Sequence, residues 1–410
     1  MKGTTVKPLI AAVRNRDAQM VDILLRAGAV PDTADEHGTP VLCLAVEAFD
    51  LPMVKTLLDE SARPDRADAF GRTPLLRAIE LGSYDITNLL VSRGAHMWIK
   101  DIEGRDALAL ARHWHETDVI AEIRRKSGRQ GPVDRSTVSS DSGFVCEQLS
   151  LGSLTVRTGH AAILTDLERA YGIATPFDEL LSRALAEPNV DHEVWWVTTA
   201  TLSGRHGPTT WNAAAALRER PNPLERYFGA EVIRLTNLFD ESDDAPFGGP
   251  LVDLFLPWVA NEPDPRVTRV LTAGLADTSD PRREEPLTTL TRHIDSKVRQ
   301  AALSGLRNPI ERGDREALSA AIERTTDDDA AVRGQACRAL GSAPIHDHGA
   351  TDALAACLTD PDEDVRVEAA VRLALRDDPR GDEILDSLRP TDEESPYHWL
   401  LYDVSRHRHG

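Results

Sequence analysis

Apolar and turn-forming positions recur at a constant interval over residues 1–127 of the chain. The recurring positions are Gly38, Gly71 and Gly104; Asp35, Asp68 and Asp101; and Ala12, Ala45, Ala78 and Ala111. One full unit runs from Asp68 to Lys100 and contains two stretches with apolar residues at helical spacing. A fixed period of this length predicts a stack of similar units, each made of a turn and two helices.

The residues within one unit fit this prediction. An Asp followed three residues later by Gly71 favours a tight turn, because glycine adopts positive φ without strain. Thr73 can cap the first helix, and Pro74 suits the first helical position. Gly94 is placed to end the second helix in a left-handed cap.

The pattern D-x-x-G-x-T-P-L followed by two helices and a Gly-Ala turn closely resembles the ankyrin repeat. Four units fit, at about residues 5–37, 38–70, 71–103 and 104–127, with the last acting as the terminal cap. Residues 1–127 are therefore predicted to be an ankyrin array. Residues 128–150 are rich in Ser, Gly and Asp and have no period, so we interpret them as a flexible linker.

A second period begins further along the chain. Asp295-x-x-Val298-Arg299 recurs twice at a nearly constant interval, as Asp329-x-x-Val332-Arg333 and Asp362-x-x-Val365-Arg366. Weaker copies begin at Asp264, Asn222 and Asp191. The pattern resembles the short HEAT repeats of bacterial proteins. It implies a HEAT array over residues 151–410, with residues 391–410 as its cap. The predicted fold class is all-α, with two tandem α-solenoids.

The Asp and Arg residues of this second motif predict a ladder of ion pairs. Each Asp suits the N-cap of a helix, and each Arg, one turn later, is placed to reach the Asp of an adjacent repeat. The predicted structural ladder contains Asp295, Arg299, Asp329, Arg333, Asp362 and Arg366.

Charge is distributed unevenly between the two parts. Residues 1–127 carry 17 Lys and Arg against 19 Asp and Glu, whereas residues 128–410 carry 30 against 48, within a total of −20. An acidic surface repels phosphate and anionic lipid, so we expect no nucleic-acid or membrane partner and favour a basic protein. The four cysteines show no metal-binding spacing and three lie in apolar helical patterns, which suits a reducing, cytoplasmic location.

The candidates for catalytic or metal chemistry are weak. His346-Asp347-His348 lies in a loop between predicted helices and has no cysteine partner. Trp195, Trp196 and Trp211 could form an aromatic box, but core packing is the simpler interpretation. No nucleotide-binding, hydrolase or kinase motif occurs, so we predict neither enzyme activity, nor metal, nor cofactor. Some short HEAT arrays are lyases that attach chromophores, and this enzyme class is the alternative.

Three apolar residues stand out on the predicted turns of the first array. Phe70, Trp98 and Ile102 occupy positions that project from successive repeats, where polar residues would be ordinary. A row of exposed apolar side chains marks an interface more often than chance. The sequence therefore predicts a binding scaffold that contacts protein partners through these tips and through a groove in the second array. Acidic solenoids also suit basic toxin domains, so an immunity or toxin-neutralising role is one form of this hypothesis.

Overall fold

The chain divides into two compact units of equal length, residues 1–205 and 206–410. The computed structural model describes residues 8–140, 143–205, 207–242, 247–388 and 395–409. Both units consist mainly of short α-helices, and the described residues also include a small sheet in the first unit. The predicted helical repeat architecture is confirmed, and the sheet is an addition to it.

Eight helices of the first unit follow one another as four consecutive pairs. They are α1 (Pro8–Arg14), α2 (Ala18–Arg26), α3 (Val41–Glu47), α4 (Leu51–Asp59), α5 (Pro74–Glu80), α6 (Tyr84–Ser92), α7 (Ala107–Glu116) and α8 (Val119–Ser127). The first helix of each pair packs on the first helix of the next, so that α1, α3, α5 and α7 form a continuous row. Buried aliphatic side chains from all four pairs share one core. We call these four pairs repeats 1 to 4.

A one-residue left-handed kink lies between the two helices of each of the first three pairs. Arg16 and Phe49 both have φ of 54°, and Gly82, at the same position of repeat 3, has φ of 65°. An acidic cap then starts the next helix in repeats 1 and 2: the carboxylate of Asp17 accepts from the N–H of Met20. The left-handed residue and the start of the second helix therefore both recur with the period of the array.

Three strands follow repeat 4 in the chain. They are β1 (Asp134–Ser139), β2 (Val145–Leu151) and β3 (Leu154–Arg157), paired antiparallel in the order β1-β2-β3. Apolar side chains from β2 and β3, including Leu149 and Val156, pack with Ile123 of α8. The flexible linker predicted over residues 128–150 is therefore wrong. Alternate residues of β2 and β3 gain burial on α8, and this offsets the loss of chain entropy on ordering them.

The sheet is attached to repeat 3 through its backbone. The N–H of Arg157 donates to the carbonyl of Leu81 at 2.8 Å, and the N–H of Gly159 donates to that of Gly82 at 3.2 Å. A Cβ atom at Gly82 would lie 2.1 Å from the Arg157 carbonyl oxygen, closer than atoms can approach. The kink of repeat 3 is a glycine because the end of β3 occupies the space that a side chain would need.

Helix α9 (His160–Ala170) continues the row of first helices by packing on α7. Its Ile163, Leu164 and Leu167 join the core of repeats 1 to 4. Two more helices complete the unit, α10 (Phe177–Leu185) and α11 (Glu193–Ser203). The predicted division, with a second array starting at residue 151, is therefore wrong. Repeat 4 is not a terminal cap, because its apolar face is covered by α9 rather than exposed to water.

The second unit is a series of antiparallel helix pairs. Its helices are α12 (Pro208–Ala216), α13 (Pro223–Leu238), α14 (Gly248–Val259), α15 (Pro265–Ala276), α16 (Glu284–Leu290), α17 (Ser296–Gly305), α18 (Arg307–Glu311), α19 (Arg315–Arg324), α20 (Ala330–Leu340), α21 (His348–Ala356), α22 (Glu363–Ala374), α23 (Asp382–Ser387) and α24 (His398–His409). The first helices α13, α15, α17, α20 and α22 pack on one another in sequence. Leu401 and Val404 of α24 bury themselves against α22 and α23. Of the predicted cap, residues 391–394 lie outside the described residues.

Candidate partner-binding surfaces

Carboxylates hold the turns between repeats of the first unit in one conformation. Oδ1 of Asp68 accepts from the N–H groups of Phe70 (2.8 Å) and Arg72 (3.0 Å). Asp101 makes the same pair of bonds in the next turn, with Glu103 and Arg105. A turn fixed in this way presents its outer side chains without further loss of backbone entropy on binding.

The three turn residues singled out in the sequence are exposed. The exposed fractions are 63% for Phe70, 62% for Trp98 and 72% for Ile102. Ile102 lies beside the preceding turn, because a Cβ at Gly71 would be 3.5 Å from its Cγ2 atom. Trp98 is supported on one side by Tyr171 of the first unit, with 5.7 Å between ring centroids. Trp98 therefore packs partly within the chain, on Tyr171. Phe70 and Ile102 are the two members of this group that are more available to a partner.

Arginine side chains join consecutive repeats of the second unit. Arg299 donates from Nε and Nη2 to the carboxylate of Asp327, at 2.8 and 2.6 Å, and Arg333 does so to Asp360, at 2.7 and 2.8 Å. Nη1 of Arg333 also donates to the backbone carbonyls of Asp327 and Asp328. These arginines are mostly buried, with 12% of each side chain exposed, and each one joins the turn before its own helix to the turn of the next repeat.

The acidic partner is not the residue predicted from the sequence. The carboxylates of Asp295, Asp329 and Asp362 bond to the N–H groups of their own helices. The arginine instead meets the acid two residues earlier, which also accepts the N–H of the capping residue: Asp327 from Asp329 at 3.1 Å, and Asp360 from Asp362 at 2.9 Å. The predicted pairing was wrong because a capping carboxylate is already directed at the helix N-terminus.

The last arginine of the predicted ladder, Arg366, is placed like the other two. Its Nη1 donates to the carbonyls of Asp360 and Pro361. Residues 389–394 lie outside the described residues.

One arginine–acid pair of this ladder is missing, because both of its residues are replaced. Arg226 pairs with Glu262 as the later arginines do, at 2.9 and 2.7 Å. In the next repeat Thr268 stands where the arginine would be, and His293 stands where its acid would be. His293 still accepts the N–H of Asp295, at 3.1 Å. Because the arginine and the acid are both replaced, no unpaired arginine or carboxylate is left at this point of the ladder.

Comparison with protein families agrees with this geometry. Residues 9–101 match ankyrin repeats (3 copies), and residues 283–376 and 316–397 match HEAT repeats. The chain carries ankyrin repeats followed by HEAT repeats. No curated protein matches it significantly. The structure extends both arrays beyond the matched ranges, since repeat 4 continues the ankyrin row and the Arg226–Glu262 pair continues the HEAT ladder.

A cavity of about 810 Å³ opens between the ankyrin repeats and strand β3. Arg16 and Phe49, at the kinks of repeats 1 and 2, line one side of it. Strand β3, with Thr155 and Arg157, lines another. Lys126 of α8 also reaches the cavity, and its Nζ atom lies 4.8 Å from the ring centroid of Trp114. Sequence reasoning missed this cavity because β3 had not been recognised as a strand.

A buried carboxyl group lies where α11 meets the end of the sheet. Oε1 of Glu193 has no hydrogen-bond partner among the described residues. A Cβ at Gly159 would lie only 2.2 Å from that oxygen. Burial, together with nearby Asp85, raises the pKa of Glu193 to about 8 against the opposing effect of Arg157. Burial also lowers the pKa of the neighbouring His192 to about 4, so both side chains are mainly neutral at pH 7.

The other sequence candidates have structural roles. Trp195 is buried and donates to the carbonyl of Glu187 at 2.9 Å, whereas Trp196 stacks on Phe144 and Trp211 on Phe247. The three tryptophans therefore pack within the protein.

The histidine motif of the second unit also begins a helix. Asp347, between His346 and His348, caps α21 by accepting from the N–H of Ala350 at 2.8 Å. Among the described residues no group of three or more His, Cys, Asp or Glu is arranged to hold a metal ion. No helix in the described ranges is long and apolar enough to cross a membrane.

Proposed function

We propose that the chain is a non-catalytic adaptor that binds a protein partner through the turn tips of its ankyrin repeats. Ankyrin and HEAT repeats are generally protein-interaction modules. The observation that carries the proposal is the exposure of Phe70 and Ile102 on adjacent turns whose backbones are already fixed by Asp68 and Asp101. Rigid apolar side chains of this kind lose little entropy on binding and gain by leaving water.

The HEAT array is proposed as a second surface, selective for basic partners along its groove. Residues 206–410 carry 24 Lys and Arg against 38 Asp and Glu, whereas residues 1–205 carry 23 against 29. An excess of acidic groups speeds the association of a basic protein and makes its capture sensitive to salt. A basic toxin domain is one partner of this class, so an immunity role belongs to the same proposal. All four cysteines are free and buried, which fits the proposed cytoplasmic location.

The experiment compares partner capture by two double variants at low and at high salt. Phe70→Ser with Ile102→Ser should remove the partner that survives high salt, because that contact is apolar. The matched control is Ile23→Ser with Val30→Ser, which changes two exposed apolar residues away from these turns. Equal capture by both variants at high salt would show that the turn tips are not an interface. A coloured ligand that co-purifies with the unmodified protein would instead favour the lyase alternative, which no observation among the described residues supports.

A further inference from the structure

The cavity beside β3 has more positive than negative side chains, in a chain that is acidic overall. Five basic residues line it, Arg16, Arg72, Arg77, Lys126 and Arg157, against two acidic residues, Glu47 and Glu80. The cavity therefore carries an excess of three positive charges, whereas the chain as a whole has a net charge of −20. This contrast marks a local site for an anionic group.

Three of the five basic side chains already pair with acids. Glu80 pairs with both Arg72 and Lys126, with 2.6 Å to Nζ of Lys126. Although its burial acts in the opposite direction, these two cations hold the pKa of Glu80 below its usual range. Arg77 lies between Glu47 at 3.2 Å and Asp68 at 2.7 Å. Because Asp68 pairs with Arg77 from outside the cavity lining, Arg16 and Arg157 are the two lining cations left to consider.

Among the described residues Arg16 pairs with no acid, and Arg157 makes one long ion pair, with Asp85. Nη2 of Arg16 donates to the backbone carbonyl of Ala48 at 2.9 Å, and it meets no acid among the described residues. Arg157 is about nine-tenths buried, its Nε has no hydrogen-bond partner in the described ranges, and its Nη1 is 3.5 Å from Asp85. Its guanidinium lies 4.5 Å from the ring centroid of Phe49. A buried guanidinium with an unused donor is costly unless a ligand completes its bonds.

The strand beside these arginines also has an unused backbone edge. In an antiparallel pair, alternate residues direct their N–H and C=O groups toward the neighbouring strand. Thr158 bonds to Glu147 of β2, so Val156 faces β2 and the intervening residues face away. Arg157 uses its outward N–H on Leu81, whereas Thr155, a residue of the cavity lining, directs its backbone groups away from β2 with no bond recorded for them among the described residues. A peptide in extended conformation could pair with Thr155 there.

We infer that this cavity binds an acidic peptide segment of a partner protein, which lies extended along β3. Its carboxylates meet Arg16 and Arg157, and its main chain pairs with Thr155. Arg16 and the unused Nε of Arg157 select an anion, and the outward-facing backbone of Thr155 selects a peptide over a free anion such as pyrophosphate. This site differs from the turn tips in position and in the chemistry of its ligand.

The test measures binding of three labelled peptides to the full-length protein by fluorescence anisotropy. The peptides alternate Val with Glu, Gln or Lys, so they share length and strand propensity and differ only in charge. The Glu-Val peptide should bind, with an affinity that falls as salt is added, and it should bind at least about tenfold more tightly than the Gln-Val peptide. Binding of the Gln-Val peptide with equal affinity would overturn the inference.

Two substitutions locate the site on the protein. Arg16→Glu changes an exposed residue and should weaken binding of the Glu-Val peptide about tenfold or more. The matched control is Arg135→Glu, which changes an exposed arginine of the same sheet, on β1, and should leave the affinity unchanged. If both variants weaken binding equally, the peptide is attracted by general charge and the cavity is not its site.

Two further measurements separate this proposal from its alternatives. N-methylation of alternate peptide nitrogens should weaken binding for one of the two possible registers, because it removes the N–H that pairs with Thr155. If neither methylated peptide binds more weakly, or if pyrophosphate displaces the peptide with equal affinity, the site recognises an anion rather than a strand. The Phe70→Ser, Ile102→Ser variant should bind the Glu-Val peptide normally, so failure at the turn tips and failure at the cavity are distinguishable.

Discussion

The ankyrin and HEAT arrays have repeats of nearly equal length, and both use carboxylates paired with arginines in their turns. In the ankyrin array the acids of two turns pair locally: Asp68 bonds to Arg77 and Asp101 to Arg105, nine and four residues away. In the HEAT array the arginine comes from the preceding repeat, since Arg333 reaches Asp360 across 27 residues. Pairs between ankyrin repeats also occur, such as Arg63 with Asp32, but they are more exposed than the pairs of the HEAT array.

This comparison predicts that the HEAT array depends on single charged residues more than the ankyrin array does. The ankyrin repeats are joined by a continuous apolar core, and their acids mainly fix turn shape. In the HEAT array, removal of one buried arginine takes away four hydrogen bonds and leaves a buried acid without its counterpart.

The largest effect is expected for Arg333→Ala. It should lower the free energy of unfolding of the second unit by about 3 to 5 kcal/mol, because Asp360 is left buried and unpaired. Hydrogen exchange of peptides from α20 and α22 measures this within the full-length protein. The control is Arg292→Ala, which breaks an exposed pair with Glu323 and should cost less than about 1 kcal/mol. Similar losses for both variants would contradict a special role for the buried ladder.

The second effect concerns the attachment of the sheet to the ankyrin array. Gly82→Ala adds a Cβ that cannot coexist with the Arg157 carbonyl, so β3 must move. We expect a loss of about 3 kcal/mol, of which roughly 1 kcal/mol comes from the left-handed backbone alone. Gly94→Ala is the matched control, because Gly94 also has positive φ but nothing lies within 4 Å of its added Cβ. Hydrogen exchange at residues 154–159 should increase only in Gly82→Ala.

A third effect is a difference in pH response between the two units. The folded-state pKa of Glu193 is raised to about 8 by burial, so folding binds a proton at this group, and the contribution of Glu193 to the stability of the first unit falls as pH rises from about 4.5 to 8. In the second unit the Arg333 hydrogen bond lowers the pKa of Asp360. Its contribution is therefore present above the unfolded pKa and lost as pH falls through the lowered value.

Glu193→Gln tests the first half of this comparison. It should stabilise the first unit by about 2 kcal/mol at pH 8 and remove most of the pH dependence between about pH 6.5 and 8. Below that range the lowered pKa values of His160 and His192 act in the opposite direction. The measurement is hydrogen exchange of α11 peptides, corrected for intrinsic rates at each pH. Glu116→Gln, at an exposed position of the same unit, is the control. An unchanged slope in Glu193→Gln would mean that another group titrates in this range.

The smallest effect is expected from completing the HEAT ladder. Thr268→Arg with His293→Asp should add the missing pair between α15 and α17, and it should stabilise the second unit by about 1 kcal/mol. Thr268→Arg alone should destabilise it, because the added guanidinium would face the imidazole of His293. A double variant no more stable than the single one would show that the two positions do not interact.

Much of the repeat architecture could be predicted from the sequence, because each repeat contains its own local signals. Thr73 caps α5 with Pro74 in the first turn, and Asp295 caps α17, as their spacing predicts. The acidic partner of each arginine could not be predicted from the sequence. Asp327 and Asp329 are the same residue type, two positions apart, and either could have paired with Arg299. Only the structure shows which carboxylate is directed at the helix N-terminus and which is left for Arg299.

The sheet was missed for a different reason. Its strands are short, and β1 is polar and mostly exposed, so the segment has the composition of a linker. A usable signal was present: alternating apolar residues flank the two-residue Gly152-Ser153 loop, which is typical of a hairpin. The glycine at position 82, where repeats 1 and 2 carry side chains, was a second sign that another part of the chain approaches there.

The position of α9 and the sheet has a consequence for how this protein can change over generations. Solenoids grow by duplication of a unit, and a new unit needs an open end on which to stack. Here the end of the ankyrin row is occupied by α9, and the kink of repeat 3 is occupied by β3. A duplicated repeat inserted after α8 would separate Gly82 from Arg157 by an extra layer. The sheet and α9 therefore prevent the ankyrin row from growing at the end formed by repeat 4.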